Sequence, residues 1–167
     1  ACVTGKAKAV RRAKLLGTTT NAGARRTSSG IKVRITKFQK RASKFQLLRK
    51  IGVNTAAMAQ AAAAPAMLYG TDCIGIGSSM LEEVRRATAK VCVGEAGGKS
   101  TVMSLYAVDG STGTIDPAFL AHTNPITAWA NAWWESWADS EVLVAANHHA
   151  KHKIGKAKKA SWAVTRG

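Results

Sequence analysis

The sequence predicts a mainly α-helical protein: a small bundle of about five helices, with a basic, partly irregular N-terminal segment and a basic C-terminal tail. Two observations lead to this prediction. Apolar residues recur at spacings of three and four in several stretches, which is the period of an α-helix. Glycine, proline and capping residues separate those stretches, as they do at helix ends. With 46% hydrophobic residues among 167, the chain is able to bury a core.

The first predicted helix begins near Ile31 and has an apolar face. The residues of that face follow one another at spacings of 4, 3, 4 and 3: Ile31, Ile35, Phe38, Ala42 and Phe45. Four cations fall together on a different arc of the same helix: Lys37, Lys40, Arg41 and Lys44. The pattern therefore predicts a helix that packs on one side and presents positive charge on another.

Two further helices are predicted in the middle of the chain. Asn54 or Thr55 is able to cap a helix through "AAMAQAAAA", and Pro65, which lacks an N–H, is expected to kink or end it. "YGTDCIGIG" is then predicted to be a short extended stretch or a loop. Ser79 and Glu82 have the spacing of a capping box that opens the next helix. The residues expected to face the core from that helix are Leu81, Val84, Thr88 and Val91 or Cys92.

The C-terminal third begins with an ambiguous stretch, "STVMSLYAV", which fits either a strand or a helix. Asp116-Pro117 has the pattern of an N-cap followed by the first helical residue, and Asn124-Pro125 repeats it, so two helix starts are expected. A last helix is predicted from Asp139 or Ser140.

A tryptophan stripe occupies the helix predicted from Ile126. Trp129, Trp133 and Trp137 follow it at spacings of 3, 4 and 4, with Trp134 beside them. Such a stripe is able to stack nucleic-acid bases. Burial in the core is nevertheless favoured, because five tryptophans in one small domain need burial.

Charge is distributed unevenly along the chain, which has a net charge of +16. Residues 1–50 contain 15 Lys and Arg and no carboxylate, residues 51–150 contain 4 basic and 9 acidic residues, and residues 151–167 contain 6 basic residues and no acidic one. This asymmetry is typical of a protein that docks on a polyanion. It also suggests a division into a basic N-terminal segment and loop (1–30), a helical domain (31–150) and a basic tail (151–167).

Several other classes of protein fit the sequence poorly. Three widely spaced cysteines favour neither a disulfide framework nor a zinc site, and we expect reduced thiols in an intracellular protein of the nucleus or cytoplasm. The N-terminus lacks the apolar region of a signal peptide, so secretion is not expected. No apolar run reaches the roughly 18–20 residues of a membrane span.

Catalytic and metal-binding motifs are incomplete. "GGKST" ends like a phosphate-binding loop at Lys99, but Val93 stands where that loop requires its first glycine. His148 and His152 are one helical turn apart, yet no third ligand lies near them, so no metal and no cofactor is predicted. The carboxylates are scattered rather than clustered as a two-metal site requires. We therefore expect no enzymatic activity.

Three stretches, in their order, resemble a known family. "RRAKLLGTTTNAG", "RITKFQKRASKFQLLRK" and "APAMLYGTDCIGIGSSMLEEVRRATAK" resemble the region downstream of the palm in the reverse transcriptases of non-LTR retrotransposons. The later "GTIDPAFLAHTNPITAWANAWWESW" resembles the continuation in some protist retroelement reading frames. The likeness covers most of residues 11–138. The residues that carry it are Lys14, Leu16, Gly17, Pro65, Tyr69, Gly70, Arg85 and Arg86, together with the basic helix.

In that family this region is the thumb, which grips the template–primer duplex through its backbone. The resemblance implies phosphate contacts by the cations of the basic helix and of the loop before it. The candidate set is Arg25, Arg26, Lys32, Arg34, Lys37, Lys40, Arg41 and Lys44. The palm's catalytic Tyr-x-Asp-Asp motif does not occur here, so the chain resembles a thumb-containing remnant or a piece of a longer reading frame that does not polymerise DNA itself.

The functional prediction is therefore a non-catalytic nucleic-acid-binding module, with the choice between RNA and DNA left open. No base-reading motif is present, so binding is expected to be positioned by phosphates and tolerant of sequence. If about six phosphates are engaged, affinity falls roughly a thousandfold between 50 and 200 mM salt. The alternative is a structural or assembly protein whose basic ends bind an acidic protein partner or a ribonucleoprotein particle.

Overall fold

The computed structural model describes residues 12–15, 18–21, 28–94, 98–110, 112 and 114–155, with side chains from 28 to 152. It is mainly helical, which confirms the helical-bundle class. The elements are β1 (Arg12–Leu15), β2 (Thr18–Asn21), α1 (Ser29–Lys50), α2 (Thr55–Met58), α3 (Ala64–Leu68), α4 (Thr71–Ile74), α5 (Ser78–Val93), α6 (Thr101–Asp109), α7 (Pro117–Trp134) and α8 (Ser140–Gly155). Because α2 and α3 form one continuous helical stretch, these ranges contain seven helices rather than about five.

A short hairpin precedes the bundle. Strands β1 and β2 pair antiparallel, with Arg12 opposite Asn21 and Leu15 opposite Thr18, and β2 contacts α1. A partly irregular segment with a loop was predicted here, so the four paired positions are a correction to that prediction. The run of threonines favours extended backbone, but strands of four residues are too short to show a clear alternation.

Helix α5 lies at the centre of the bundle and contacts α1, α2, α3, α6 and α7. The prediction for its inward face is confirmed, since its expected core residues are all buried: Leu81, Val84, Thr88, Val91 and Cys92. The predicted capping box is wrong. The helix begins at Ser78 with Gly77 as N-cap, so Ser79 is already helical, and Glu82 pairs with arginines one turn later instead of reaching back.

Helix α1 packs its apolar face against α5 and α3, as the spacing predicted. Ile31, Ile35, Phe38 and Ala42 are buried, and Phe45 is half-buried with its ring centroid 5.6 Å from that of Phe38. The remaining circumference of α1 is left for polar and charged side chains.

The stretch from Thr55 to Leu68 is helical throughout, although Pro65 was expected to kink or end it. Asn54 caps its start by accepting a hydrogen bond from the Ala57 N–H (3.1 Å). A π-helical turn over Ala59–Ala63 precedes the proline, and the Ala64 N–H donates to the Ala59 carbonyl five residues back. The widened turn accommodates a residue that has no N–H to donate, so the helix continues to Leu68.

The chain turns sharply after α3. Gly70 has a φ of 80°, a conformation that side chains with a Cβ rarely adopt, and α4 follows at once. The prediction of an extended stretch or loop was wrong for this part of the chain, since Thr71–Ile74 is helical. Its single turn was too short to show a helical period in the sequence.

Helix α7 runs unbroken through Pro125, so the second helix start predicted at Asn124-Pro125 was wrong. Asp116 does cap its N-terminus, as predicted, by accepting from the Ala118 N–H (2.9 Å). A proline inside a helix removes one hydrogen bond, and in α7 the helix persists because its other residues pack on α3, α4 and α5.

The tryptophans of the stripe were predicted to be core residues, and this prediction was wrong. Trp129 and Trp133 are 39% and 40% exposed, Trp137 is 62% exposed and Trp134 is 91% exposed. The residues of α7 that are buried are the smaller Pro117 and Ala121. Small side chains let α7 approach the bundle closely, and its indoles stay partly or largely exposed. Trp137, predicted to lie on the same helix, follows the end of α7 instead.

The last helix agrees with its predicted start, and the stretch that fitted either a strand or a helix is helical. The ambiguous "STVMSLYAV" lies in α6, capped by Ser100, and α8 begins at Ser140 with Leu143 as its buried residue. None of the helices in the described parts of the chain has both the length and the apolar character needed to cross a membrane.

Candidate nucleic-acid interface

Four cations form one exposed face of α1, which we call the cationic face: Lys37, Lys40, Arg41 and Lys44. At about 100° per residue they lie within an arc of about 100°, on the side turned away from Ile35 and Ala42. Seven residues separate the first from the last, which is about 10 Å along the helix axis. The cationic face thus extends over two turns of α1.

No carboxylate neutralises the cationic face within the described residues. Helix α1 contains no Asp or Glu. The salt bridges found in the described part of the chain involve Arg85 and Arg86 of α5 with Glu82 and Asp116, and none involves α1. The four charges therefore remain available to an external anion.

The other predicted site residues do not share the cationic face. Lys32 is exposed, but the helical period places it about 140° from Lys37, beside Thr36. Arg34 lies at the edge of the face and is half-buried. It donates a hydrogen bond to the Tyr69 carbonyl oxygen, and its guanidinium carbon lies 5.3 Å from the centroid of the Tyr69 ring. The predicted Arg25 and Arg26 lie outside the described residues.

Arg49, at the far end of α1, makes a structural contact that was not predicted from the sequence. Its Nη1 donates to the Cys92 carbonyl at the end of α5 (3.1 Å). Gly94, with a φ of 83°, passes so close that a Cβ there would lie 2.9 Å from the same Nη1. A cation near the last carbonyls of a helix is favourable, so Arg49 joins the ends of α1 and α5.

A cleft of about 650 Å³ opens next to Arg34, between the α3–α4 turn and α7. Its lining includes one aromatic residue from each side, Tyr69 and Trp137, and several polar residues: Asp72, Cys73, Asn124 and Asn131. The sequence did not predict this cleft, because "YG" was interpreted only as a turn and Trp137 only as a core residue.

The thiol of Cys73 shows how the cleft affects ionisation. Burial raises the pKa of Cys73 above its ordinary value, and the charge of Asp72 and its hydrogen bond to the thiol raise it further. Cys73 is exposed but is a neutral thiol at physiological pH, so the cleft presents it as a weak donor rather than as a nucleophile.

The three histidines near the C-terminal end are exposed on α8. A shallow depression of about 860 Å³ is lined by residues of that one helix only, among them His148, His149 and His152. In the described ranges no three or more His, Cys, Asp or Glu side chains are grouped so as to hold a metal ion.

Comparison of the chain with models of known protein families, with curated proteins and with solved structures gives no match. The function is therefore inferred from the surface itself. Its two distinctive features are the cationic face of α1 and the aromatic cleft beside Arg34.

Proposed function

We propose that the chain is a non-catalytic nucleic-acid-binding module that holds a phosphate backbone along the cationic face of α1. One observation carries the proposal: Lys37, Lys40, Arg41 and Lys44 are all exposed on one side of a helix, without a carboxylate partner among the described residues. Charges placed in this way repel one another unless an anion lies between them. A polyanion supplies regularly spaced charges of the required sign.

The dimensions of the cationic face suit a nucleic-acid backbone. A DNA duplex carries one phosphate charge per about 1.7 Å of its axis over both strands, or about 3.4 Å per strand, so the roughly 10 Å length of the face spans about six phosphates in all and about three on the nearer strand. Lysine and arginine side chains reach phosphates from a range of angles, and such contacts position a protein without reading sequence. We therefore propose that binding tolerates many sequences.

The resemblance to a reverse transcriptase thumb leads to the same kind of contact and stays part of the proposal. In that comparison the basic helix lies along the backbone of a duplex. Four phosphate contacts would lower duplex affinity about 150-fold between 50 and 200 mM salt, against roughly a thousandfold for six contacts. The measured dependence thus reports whether cations beyond the cationic face, Arg25 and Arg26 among them, take part.

The test removes three charges from the cationic face. The triple substitution Lys37→Ala, Lys40→Ala and Lys44→Ala is expected to weaken binding of a labelled oligonucleotide more than about a hundredfold at 100 mM salt. It should also flatten the slope of log affinity against log salt by about three, because about one ion is released per phosphate contact. Fluorescence anisotropy across a salt series measures both quantities.

A control variant removes the same total charge elsewhere. Lys90, Lys99 and Lys151 are exposed and lie on α5, before α6 and on α8. Changing these three to Ala should weaken binding only slightly, because distant charges are screened over about 10 Å at this ionic strength. Equal losses in the two variants would show that binding is spread over the whole surface, and the proposal would be wrong.

A second candidate function is assembly, with the basic ends bound to an acidic protein or to a ribonucleoprotein particle. The exposed indoles at the end of α7 and just beyond it favour it, since Trp134 is 91% exposed and Trp137 is 62% exposed. Clustered exposed apolar groups are typical of interaction surfaces. An affinity purification performed with and without nuclease separates the two candidates: partners that survive nuclease treatment favour assembly, and partners lost with the nucleic acid favour the first proposal.

A further inference from the structure

One side chain, that of Arg34, lies between the cleft and the cationic face. Arg34 lies on the same side of α1 as Arg41, which follows it two turns later. Lys37, the first residue of the cationic face, is about 4.5 Å further along the helix axis than Arg34. The Arg34 guanidinium is held against the ring and the carbonyl of Tyr69, which lines the cleft. A strand whose phosphates lie on the cationic face therefore passes within about a nucleotide's length of the cleft.

The cleft has the wrong chemistry for a phosphate. Asp72 lines it, and Glu135 lies close by, accepting a hydrogen bond from Trp137 Nε1 (2.6 Å). Two carboxylates would repel a phosphate group. The Trp137 N–H is already used by Glu135, so what this indole offers a ligand is its apolar ring.

The same residues suit a nucleobase. Tyr69 and Trp137 supply aromatic surface at 53% and 62% exposure, on which a planar base is able to stack. Asn124 and Asn131 of α7 have no side-chain hydrogen-bond partner among the described residues, and their amides both donate and accept. The volume of about 650 Å³ is within the range of small-molecule sites.

We propose that this cleft binds one unstacked base of a single-stranded nucleic acid whose phosphates lie on the cationic face. The inference rests on the proposed function, because the cationic face is what brings the strand to the cleft. A base inside a duplex is paired and stacked and is not able to enter. The protein therefore prefers single strands, or the single-stranded end of a duplex, to a continuous duplex.

Asp72 gives the cleft a preference among the bases. A carboxylate accepts hydrogen bonds and donates none when ionised, so it pairs with the exocyclic amino groups of cytosine, adenine or guanine. Thymine and uracil have no exocyclic amino group, and their one donor on that edge, the N3–H, is flanked by two carbonyl oxygens that a carboxylate repels. Homopolymers of adenine or cytosine should accordingly bind more tightly than those of thymine or uracil.

The experiment compares an oligonucleotide of adenines with an oligomer of the same length and charge whose residues are abasic. The wild-type chain is expected to bind the base-bearing strand about tenfold more tightly, the size of one stacked base. Trp137→Ala should reduce that ratio towards one without changing affinity for the abasic strand. The matched control is Trp134→Ala, which removes a more exposed indole outside the cleft lining and should leave the ratio unchanged.

The outcomes separate the two proposals. If the two strands bind wild type equally, or if Trp137→Ala and Trp134→Ala give the same ratio, the cleft does not bind a base, whatever the cationic face does. If the triple lysine variant of α1 binds both strands as tightly as wild type, the proposed function itself is wrong. Circular dichroism of each variant confirms that helicity is kept.

Cys73 provides a second readout that needs no substitution. It is exposed and lines the cleft, so its alkylation by iodoacetamide, followed peptide by peptide by mass spectrometry, reports occupancy. A saturating adenine oligonucleotide should slow this reaction several-fold, and the abasic oligomer should not. Because the pKa of Cys73 is raised, the measurement is best made at mildly alkaline pH. Equal alkylation rates with the two oligomers would overturn the proposal.

Discussion

Helices α1 and α5 lie against each other and both contain several cations, but only the cations of α5 form ion pairs within the described part of the chain. Arg85 of α5 makes a bidentate pair with Asp116, with Nε at 2.9 Å from Oδ1 and Nη2 at 2.6 Å from Oδ2. Arg86 lies 3.5 Å from Glu82. The four cations of the cationic face on α1 have no such partner in the described part of the chain. Positive charge alone therefore does not indicate a binding surface; the presence or absence of a carboxylate within reach does.

The pair between Arg85 and Asp116 is structural. Asp116 accepts both from Arg85 and from the Ala118 N–H, so one carboxylate caps α7 and ties it to α5. The hydrogen bond to Asp116 is the main reason that the pKa of Arg85 is raised. The proposed resemblance to reverse transcriptases rests in part on Arg85 and Arg86, but at Arg85 the contacts hold the bundle together.

The largest expected effect in this comparison is that of Arg85→Met. It leaves the half-buried carboxylate of Asp116 without its charged partner, which should destabilise the fold by about 2–3 kcal/mol. The melting temperature should fall by several degrees while affinity for oligonucleotides changes little. Thermal and urea unfolding measure the first quantity, and anisotropy measures the second.

Arg86→Met is the matched control. The Arg86 side chain is 69% exposed, against 18% for Arg85, and exposed ion pairs contribute about 0–1 kcal/mol. If the two variants lost equal stability, the distinction between paired structural arginines and surface arginines would not hold for α5.

The second expected effect concerns Cys92, where α1 and α5 meet. Burial raises the pKa of its thiol to about 11 from an ordinary 9.0, an effect that the nearby charge of Arg49 partly offsets. The unfolded chain thus loses this proton at lower pH than the folded chain. Stability from this group is complete below pH 9 and is lost as the pH rises towards 11, by about 1 kcal/mol at pH 10.

Urea unfolding of wild type and Cys92→Ala between pH 8 and pH 10.5 isolates this contribution. The variant removes the titrating thiol, so its free energy of unfolding should decline less steeply across that range. At pH 8 the variant should be less stable than wild type, because alanine fills less of the buried site than cysteine does. Parallel curves for the two proteins would mean that the Cys92 thiol ionises as easily in the fold as in the unfolded chain.

The smallest expected effect is that of Lys40→Glu, which gives α1 a carboxylate of the kind that α5 has. Lys40 is one turn from Lys37 and Lys44, and like charges at these spacings destabilise a helix by about 0.2–0.5 kcal/mol per pair. The substitution converts two repulsions into two attractions, and because these side chains are exposed each contributes only about 0.2 kcal/mol, so stability at low salt should rise by about 0.8 kcal/mol. Binding to oligonucleotides should weaken at the same time.

Lys40→Gln removes the repulsion without adding attraction, and should give an intermediate gain. Because both effects are electrostatic, both gains should vanish in 1 M salt, where the screening length is about 3 Å. A loss of stability in Lys40→Glu at low salt would show that Lys40 already has an attractive partner within the fold.

Some features of the fold could be predicted because they depend on neighbours in sequence. The apolar face of α1, the inward residues of α5 and the caps at Asn54 and Asp116 all follow from spacings of one to seven residues. The position of the cationic face on α1 follows in the same way. Each depends on the helical period alone.

Several of the wrong predictions concerned features that distant parts of the chain decide. The spacing of Trp129 and Trp133 correctly placed them on one helix, but Trp137 lies beyond the end of α7, and α7 is buried through Pro117 and Ala121. Pro125 has the pattern of a helix start, yet the helix continues through it.

The sequence by itself determined which side chains share a face, because the helical period is local and rigid. The tertiary structure alone decided which faces are covered, because covering a face requires another element to reach it, and the position of that element depends on the packing of the whole core. Arg85 is paired because the start of α7 lies against α5. The cations of the cationic face are unpaired because, in the described part of the chain, no carboxylate lies within ion-pair distance of them. The cleft arises in the same way, from turn residues and α7 residues that are about 60 positions apart in the sequence and are brought together only by folding.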